Sequence, residues 1–394
     1  TFKAFGTSSI MVGDSSTGTI DAANYNTGLG VDIFAALTSG DNNTSVGFNS
    51  MAAATTGYSN VAVGANALDA NTDGHSNTAI GFNALTANTG GDWSVAVGIE
   101  ALKTEATSGS NVAVGALALT ASNGGSNNVA IGKQAGTTLT TGDYNVFAGS
   151  NAGAAQTDAA ANVFIGYVAG QTCSTGTANV TMGFSAGQEL TTSSYNTIIG
   201  HDAGNGITTG PSNVLIGASV ADGGTTIEKC VMIGRLATQS ATNSDSQIVI
   251  GYNATGKGDS TGFISPSGGA VYQGNNATAW AQTSDRRIKK NIVDNNVGLD
   301  VINQIRVRNF EYRTVDEIVD FDNPKAAVVE QEGIQLGTIA QELEEFLPEV
   351  VETTSEGVKS VTADRITWHL VNAVQELTAQ VETLKQEVET LKGE

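Results

Sequence analysis

The chain has little positive charge. It carries 18 Lys and Arg against 39 Asp and Glu, which gives 394 residues a formal net charge of -21. Binding to nucleic acid needs clustered Lys and Arg that neutralise phosphates, so no nucleic-acid partner is expected. The shortage is strongest in residues 1–283, which hold only 6 of the 18 cationic side chains.

Cysteine, histidine and long apolar runs are also scarce. Two cysteines, Cys173 and Cys230, are too few for a disulfide framework, and neither lies in a Cys-x-x-Cys pair or a Cys/His cluster. The histidines His75, His201 and His369 are far apart, which favours surface or packing roles. We therefore expect no metal site and no cofactor. Because no run of 18 apolar residues occurs, we expect no membrane insertion.

Glycine is abundant instead, with 48 residues against 4 prolines. Fifteen glycines, here called the ladder glycines, recur every 17 residues: 13, 30, 47, 64, 81, 98, 115, 132, 149, 166, 183, 200, 217, 234 and 251. A fixed period of this length is typical of a solenoid whose turns stack on one another. We predict a mostly β protein with a parallel β-solenoid or β-roll of 15 turns over 1–255, followed by a connector over 256–283.

The residues around each ladder glycine indicate why it repeats. Three positions before it lies Val, Ile or Thr in every copy, and one position before it lies an apolar residue. This alternation predicts a short strand with one buried face. Asparagine lies four positions before eleven of the ladder glycines, as at Asn60 and Asn111, where stacked amides can hydrogen-bond from turn to turn. A less strict second series of glycines leaves two shapes open, a flattened two-walled coil and a three-sided helix: Gly40, Gly57, Gly74, Gly91, Gly125, Gly142, Gly176 and Gly210.

The position two residues before the ladder glycine changes in size along the chain. It is small in the first half, as at Ala62 and Ala113, and large and apolar in the second half, as at Phe147, Phe164 and Leu215. If this position points away from the coil, it predicts side-by-side association of several solenoids. The alternative is that these side chains thicken the core of the coil itself.

A second domain begins where the charge pattern changes. Residues 284–394 hold 12 Lys and Arg and 22 Asp and Glu in 111 residues. The pattern predicts a helix over 298–305, a strand over 307–312, and a further strand and helix that end at Pro348. A coiled coil is predicted over 370–394, because valine and leucine alternate at spacings of three and four: Val374, Leu377, Val381, Leu384, Val388 and Leu391. Valine at a and leucine at d alone favour two strands.

Two resemblances follow from these motifs. The rung "NVAIGxxAG" resembles the head repeats of trimeric autotransporter adhesins and repeats of phage tail fibres, over residues 9–254. The segments "SDRRIKKNI", "GTIAQELEEFLPEVV" and "AVQEL", in this order, resemble the intramolecular chaperone auto-processing domain at the C-termini of phage tail spikes, endosialidases and tail fibres. The second resemblance covers residues 284–394.

The second resemblance implies a self-cleaving serine peptidase. Ser284 is then the nucleophile and Lys289 the general base, and the bond that is cut joins Thr283 to Ser284. The residues agree with this chemistry, since a serine hydroxyl needs a base, and neighbouring cations such as Arg286 and Lys290 lower the pKa of a lysine.

Together these features predict a homotrimeric fibre of a phage tail, produced in the host cytoplasm and carried in the virion. The expected partners are other phage tail proteins and a bacterial surface glycan or outer-membrane receptor. The alternatives are a bacterial adhesin-like trimeric stalk and a glycan-degrading tail spike. An ice-binding solenoid is not favoured, because such a solenoid needs threonines in register and the sequence pattern indicates that they scatter in the variable part of each turn.

Overall fold

The computed structural model describes residues 2–5, 8–13, 22–266, 271–273, 286, 289–314, 317, 332–353 and 358–393. The chain divides into two compact units, 1–284 and 285–394. Each unit has its own secondary structure and its own core.

The first unit is an 18-stranded sheet wound as a parallel β-solenoid. Consecutive strands from β2 to β17 pair in parallel, one turn apart, and β1 and β18 pair antiparallel at the two ends. The strands are β1 Phe2–Phe5, β2 Ser9–Gly13, β3 Thr27–Gly30, β4 Thr44–Val46, β5 Val61–Val63, β6 Thr78–Ile80, β7 Val95–Val97, β8 Val112–Val114, β9 Val129–Ile131, β10 Val146–Ala148, β11 Val163–Ile165, β12 Val180–Met182, β13 Thr197–Ile199, β14 Val214–Ile216, β15 Val231–Ile233, β16 Ile248–Ile250, β17 Gly262–Ile264 and β18 Val271–Gln273. The predicted fold class is confirmed.

Each turn of the solenoid contains one short strand, and the rest of the turn is made of tight turns. Over residues 22–266 the strands form a single ladder, beside which only two isolated bridges occur, Glu228 with Asp245 and Thr238 with Thr255. The ladder glycine ends the strand in a backbone conformation that L side chains rarely adopt. At Gly64, for example, φ is +139°, and a Cβ atom would lie 2.5 Å from the carbonyl oxygen of Gly81. Both the conformation and the contact therefore require glycine.

The side chains two residues before the ladder glycine point into the coil, so the expectation that they point outward is wrong. Phe147, Phe164 and Leu215 are fully buried, as are Ala62 and Ala113. The flanking strand residues, three and one before the glycine, are half-buried or exposed instead. The reason is the parity of the strand: the asparagine four positions before the glycine is buried, and side chains two residues apart share a face.

The change in size along the chain is compensated within the core. From Ala62 to Ala113 the inward strand residue is small and the residue four positions after the ladder glycine is large, as in the pairs Ala62 and Leu68 or Ala113 and Leu119. From Phe147 to Ile198 that position is glycine, and a Cβ on Gly170 would lie 2.7 Å from the ring of Phe164. The two positions exchange volume and keep the coil filled, as close packing requires.

A buried asparagine ladder runs through the solenoid, as predicted. The backbone N–H of Asn145 donates to Oδ1 of Asn128 at 3.0 Å, and Asn162 repeats this contact one turn later with Oδ1 of Asn145. Most of these amides also donate to a backbone carbonyl 14 residues later, in the next turn, as Asn145 Nδ2 does to Ala159 at 2.9 Å. The ladder thus joins successive turns through both backbone and side-chain hydrogen bonds.

The ladder is interrupted at Ser94, and a buried glutamate fills the gap. Ser94 Oγ donates to Glu105 Oε1, and Asn111 Nδ2 donates to Glu105 Oε2, both at 2.7 Å. Burial raises the pKa of Glu105 to about 7, although these two hydrogen bonds act in the opposite direction. In a later turn the neutral amide of Gln156 takes the equivalent place and contacts Asn162.

The threonines are not scattered. Those eight positions after the ladder glycine are in register, and their hydroxyls donate to the carbonyl of the residue one turn later, as Thr55 does to Thr72 and Thr72 to Thr89. These hydroxyls therefore stabilise the stack. Cys173 and Cys230 are free, buried thiols.

The second unit is small and mixed. It contains helix α1 Leu299–Ile302, strands β19 Arg308–Phe310 and β20 Gln335–Gly337, helix α2 Ala340–Glu344, a short 3-10 helix Pro348–Val350, strands β21 Val351–Thr353 and β22 Lys359–Val361, and helix α3 Ala363–Gly393. β19 pairs antiparallel with β20, and β21 with β22. Its core is the buried trio Leu343, Leu347 and Val350. None of the helices in the described ranges is long and apolar enough to cross a bilayer.

Candidate functional site

The predicted site residues are only partly within the described residues. Thr283 and Ser284 lie outside them, so the dyad and the cleavage position stay predictions. Lys289 is described and exposed, and its backbone N–H donates to the carbonyl of Arg286 at 3.3 Å. Lys290 is also exposed.

The segment after Lys289 is held against helix α3, although it has no regular secondary structure before α1. Nδ2 of Asn372 donates to two backbone carbonyls of this segment, that of Asn295 at 2.7 Å and that of Val297 at 3.1 Å. The carbonyl of Val297 also lies 2.9 Å from Nδ1 of His369. Because a carbonyl only accepts, Nδ1 is the donor in this contact.

Glu376 and Gly298 complete the contact. The backbone N–H of Leu299, the first residue of α1, donates to Oε2 of Glu376 at 2.9 Å. A Cβ on Gly298 would lie 2.7 Å from the backbone nitrogen of Ala373. Glycine is therefore required at residue 298 for the close approach of the segment to α3. We call Gly298, His369, Asn372 and Glu376 the α3 clamp.

The motif "AQELEEFLPEV" builds the core beneath this segment. Ala340 and Leu343 are buried on α2, and Leu347 and Val350 are buried just after it. Arg308 of β19 pairs with Glu342 at 2.7 Å, and its hydrogen bond holds the pKa of that carboxyl below the ordinary value. The motif thus forms a platform against which β19, β22 and α3 pack.

His369 is the one histidine at this site. It is buried, with Nε2 3.8 Å from Oε1 of Glu349 and Nδ1 against Val297. The sequence predicted only a packing or surface role for it. The structure shows that His369 is packed inside the unit and makes one specific hydrogen bond. No short motif around His369 predicts this hydrogen bond.

The second part of helix α3 is exposed to solvent along its length. All residues from 377 to 393 are exposed. The predicted heptad seam lies on one side of this helix and is exposed throughout: Val374, Leu377, Val381, Leu384, Val388 and Leu391. Among the described residues, no cluster of His, Cys, Asp and Glu is arranged to hold a metal ion.

The solenoid also presents an apolar surface. Every exposed large hydrophobic side chain between residues 22 and 266 lies between six positions before and one position after a ladder glycine. The strand residues three and one positions before the ladder glycine are here called the outer strand face, and among them Ile80, Ile131, Met182, Ile216 and Ile233 are exposed. An apolar surface that recurs along a soluble protein in this way is typical of an interface.

Comparison with known proteins agrees with the second resemblance. Residues 284–352 match the model of the Peptidase_S74 family, described as chaperone of endosialidase. The match implies an intramolecular chaperone with autoproteolytic peptidase activity at the C-terminal part of this chain. A search of curated proteins with the chain found no match.

Proposed function

We propose that this chain is the homotrimeric fibre of a phage tail, and that its C-terminal unit aligns three chains and then cuts itself off between Thr283 and Ser284. The observation that supports this most directly is the start of the family match at Ser284, the residue that the motif "SDRRIKKNI" predicts as the nucleophile. The alternative of a glycan-degrading tail spike lacks a comparable motif for paired acidic residues.

The chemistry requires a nucleophile, a base and one water molecule. Lys289, in its neutral form, accepts the hydroxyl proton of Ser284, and Oγ attacks the carbonyl carbon of Thr283. Collapse of the five-membered intermediate breaks the C–N bond and moves the acyl group to Oγ, and Lys289 returns its proton to the departing nitrogen, which becomes the free amine of Ser284. Water then hydrolyses the ester, which yields the carboxylate of Thr283, the free hydroxyl of Ser284 and a proton that the amine takes up.

The outer strand face and the α3 seam are the proposed assembly surfaces. Both are apolar, both are exposed in the single chain, and both repeat along their element. Three parallel copies would bury the outer strand faces around a threefold axis. Their three α3 helices would pack against one another through the apolar seam as a coiled coil. Phe147, Phe164 and Leu215 are buried inside the coil, so the proposed interface residues are the strand residues on either side of that register.

Cleavage also explains why the chaperone unit is temporary. A long solenoid stabilised by contacts between copies is slow to align and prone to pairing out of register. Once the turns are stacked, removal of the aligning unit leaves a product that unfolds slowly, because its stability is kinetic.

Host recognition is the proposed task of the mature fibre, with a bacterial surface glycan or outer-membrane receptor as the partner. Exposed aromatic side chains such as Trp93, Tyr144 and Tyr195 offer apolar contact area with a polar edge, which suits a glycan. Binding of the released trimer to an array of bacterial surface glycans tests this part. Absence of binding to all of them, and to intact bacteria, would contradict it.

The self-cleavage is tested by replacing each partner of the dyad. We expect Ser284→Ala and Lys289→Ala each to leave a full-length chain, because both residues serve one nucleophilic step. Lys290→Ala removes only a neighbouring cation and should cleave more slowly but completely, whereas Lys392→Ala, an exposed lysine at the end of α3, is the control and should cleave at the wild-type rate. A fragment beginning at residue 284 from either dyad variant, seen by mass measurement of denatured protein, would overturn the assignment.

A further inference from the structure

The α3 clamp connects two parts of the C-terminal unit that have different tasks. On one side of it lies the segment that contains Lys289, and on the other the helix that carries the coiled-coil seam. The contacts use the side chains of α3 and the backbone of the segment: Asn372 donates to Asn295 and Val297, and Glu376 accepts from Leu299.

The clamp and the seam occupy different faces of the helix. Residues 369, 372 and 376 follow helical spacing and share one face, whereas Val374, Leu377 and Val381 share another. With about 3.6 residues per turn, the centres of these faces are roughly a third of a turn apart. A helix can therefore bind two further copies through its seam and hold its own 295–299 backbone at the same time.

The α3 clamp also fixes the direction in which the segment leaves the helix. The amide of Asn372 binds the carbonyls of Asn295 and Val297. The backbone N–H of Val297 also donates to Oδ1 of Asn295 at 2.8 Å, so three hydrogen bonds define this stretch. Gly298 brings the backbone close enough for these bonds to form. Asn295 lies only six positions after Lys289, so the α3 clamp limits where the lysine can lie.

We infer that Asn372, assisted by Gly298, is a positioning residue for self-cleavage: it ties the segment that carries Lys289 to the assembling helix. This inference rests on the proposed function, since it requires cleavage at Ser284 with Lys289 as base. It adds a reason for cleavage to follow assembly, because the lysine is placed only when α3 is formed.

The test compares cleavage rates in cell-free synthesis of the full chain after a short labelling pulse. Asn372→Ala and Asn372→Asp remove the two donated hydrogen bonds, and the aspartate keeps the shape of the side chain. We expect both to slow the release of the 284–394 fragment about 10- to 100-fold, the scale of a small misplacement of reacting groups. Gly298→Ala should act in the same direction. Gln375→Ala, an exposed amide on the same helix, is the matched control and should cleave at the wild-type rate.

Two further readouts separate positioning from folding. In a Ser284→Ala background, Asn372→Ala should form the same trimer as its parent by light scattering. The pH at which the cleavage rate is half-maximal should also stay at the wild-type value, because the base is unchanged and only its placement is lost. A trimer that fails to form would overturn the inference, because Asn372 would then be needed for assembly itself.

The remaining outcomes are also decisive. If either Asn372 variant cleaves as fast as Gln375→Ala, the inference fails while the proposed function stands. If the wild-type chain yields no fragment that begins at Ser284, the proposed function fails and the inference falls with it.

Discussion

In the solenoid each turn is completed by the next turn of the same chain, whereas helix α3 is completed by its own unit only over its first part. Asn145 finds its partners one turn away in Asn128 and Asn162. From residue 377 onward α3 is exposed and presents its apolar seam to solvent. The first unit can therefore stay folded once it has formed. The second unit exposes the apolar seam of α3, which is available for contact with further copies.

The comparison also separates two kinds of stability. Solenoid energies are close to a sum of turns and turn-to-turn contacts, so the interior is held locally and repeatedly. Among the described residues, the C-terminal unit has a core cluster of only three buried side chains. If this unit aligns copies as proposed, it is needed at the start of assembly, whereas the solenoid is stabilised by its own turns afterwards.

The largest expected effect comes from breaking the volume exchange inside one turn. Phe164→Ala leaves a cavity that costs about 3–5 kcal/mol. Gly170→Leu alone drives a side chain into the ring of Phe164 and is expected to destabilise by about 1–3 kcal/mol or more. The double variant reproduces the arrangement of the first half, where a small strand residue is followed six positions later by a large one. Leu85 holds the position equivalent to Gly170 there and adopts a φ of +51°.

The double variant should therefore be more stable than the sum of the two single effects. The coupling expected for residues in direct contact is about 1–3 kcal/mol. Guanidinium unfolding of the four proteins measures it. Strictly additive effects would show that the two positions do not share one volume.

The next effect is a pH dependence at Glu105. Its pKa in the folded protein is about 7, above the ordinary value of 4.5, so the folded state binds the proton more tightly than the unfolded state. Its contribution is fully present below pH 4.5 and is lost as the pH rises through about 7, by ~3 kcal/mol in total.

Glu105→Gln should remove this slope and raise stability above pH 7, because Gln156 already fills the equivalent place in a later turn. Thermal unfolding between pH 4.5 and 8 measures it, and Glu100→Gln, at the surface of the same turn, is the control. A slope that survives in Glu105→Gln would assign the pH dependence to other groups.

The smallest effect on the fold is expected on the outer strand face. Ile131→Lys changes a side chain that is 48% exposed, so the single chain should lose no more than about 0.5 kcal/mol. In a trimer the same change brings three cations into an apolar interface and should shift the protein toward monomers. Thr141→Lys, exposed in the same turn, is the control. Equal trimer mass for both variants in light scattering would remove the outer strand face from the interface.

Much of this architecture was predictable from the sequence, because the ladder glycine and the asparagine four positions before it recur with a fixed period. The face of the strand was not predicted correctly. The apolar residues three and one positions before the glycine suggest by their hydrophobicity that they are buried, but the asparagine ladder lies inside the coil and fixes the parity of the strand the other way. The exchange of Leu68 or Leu119 for glycine in later turns was a second signal that the large strand residues point inward.

The C-terminal unit was predicted in its motifs but not in its contacts. Helix α2, the end near Pro348 and the α3 seam follow from local patterns. The α3 clamp joins residues that are more than 70 positions apart in the sequence through single side chains. No local sequence pattern predicts these contacts. Ser284 and Lys289 rest on the family motif, and their geometry stays a prediction.

The most direct test of the account compares two samples of the same covalent chain, residues 1–283. One is synthesised alone, and the other is released from the full chain by its own cleavage. If the C-terminal unit aligns the copies, the released sample should be a detergent-resistant trimer and the other should be monomeric or aggregated, because outer strand faces and strand edges meet without alignment. Hydrodynamic size and detergent resistance measure the difference. If the chain made alone reaches the same resistant trimer, the C-terminal unit is not a chaperone and the account is contradicted.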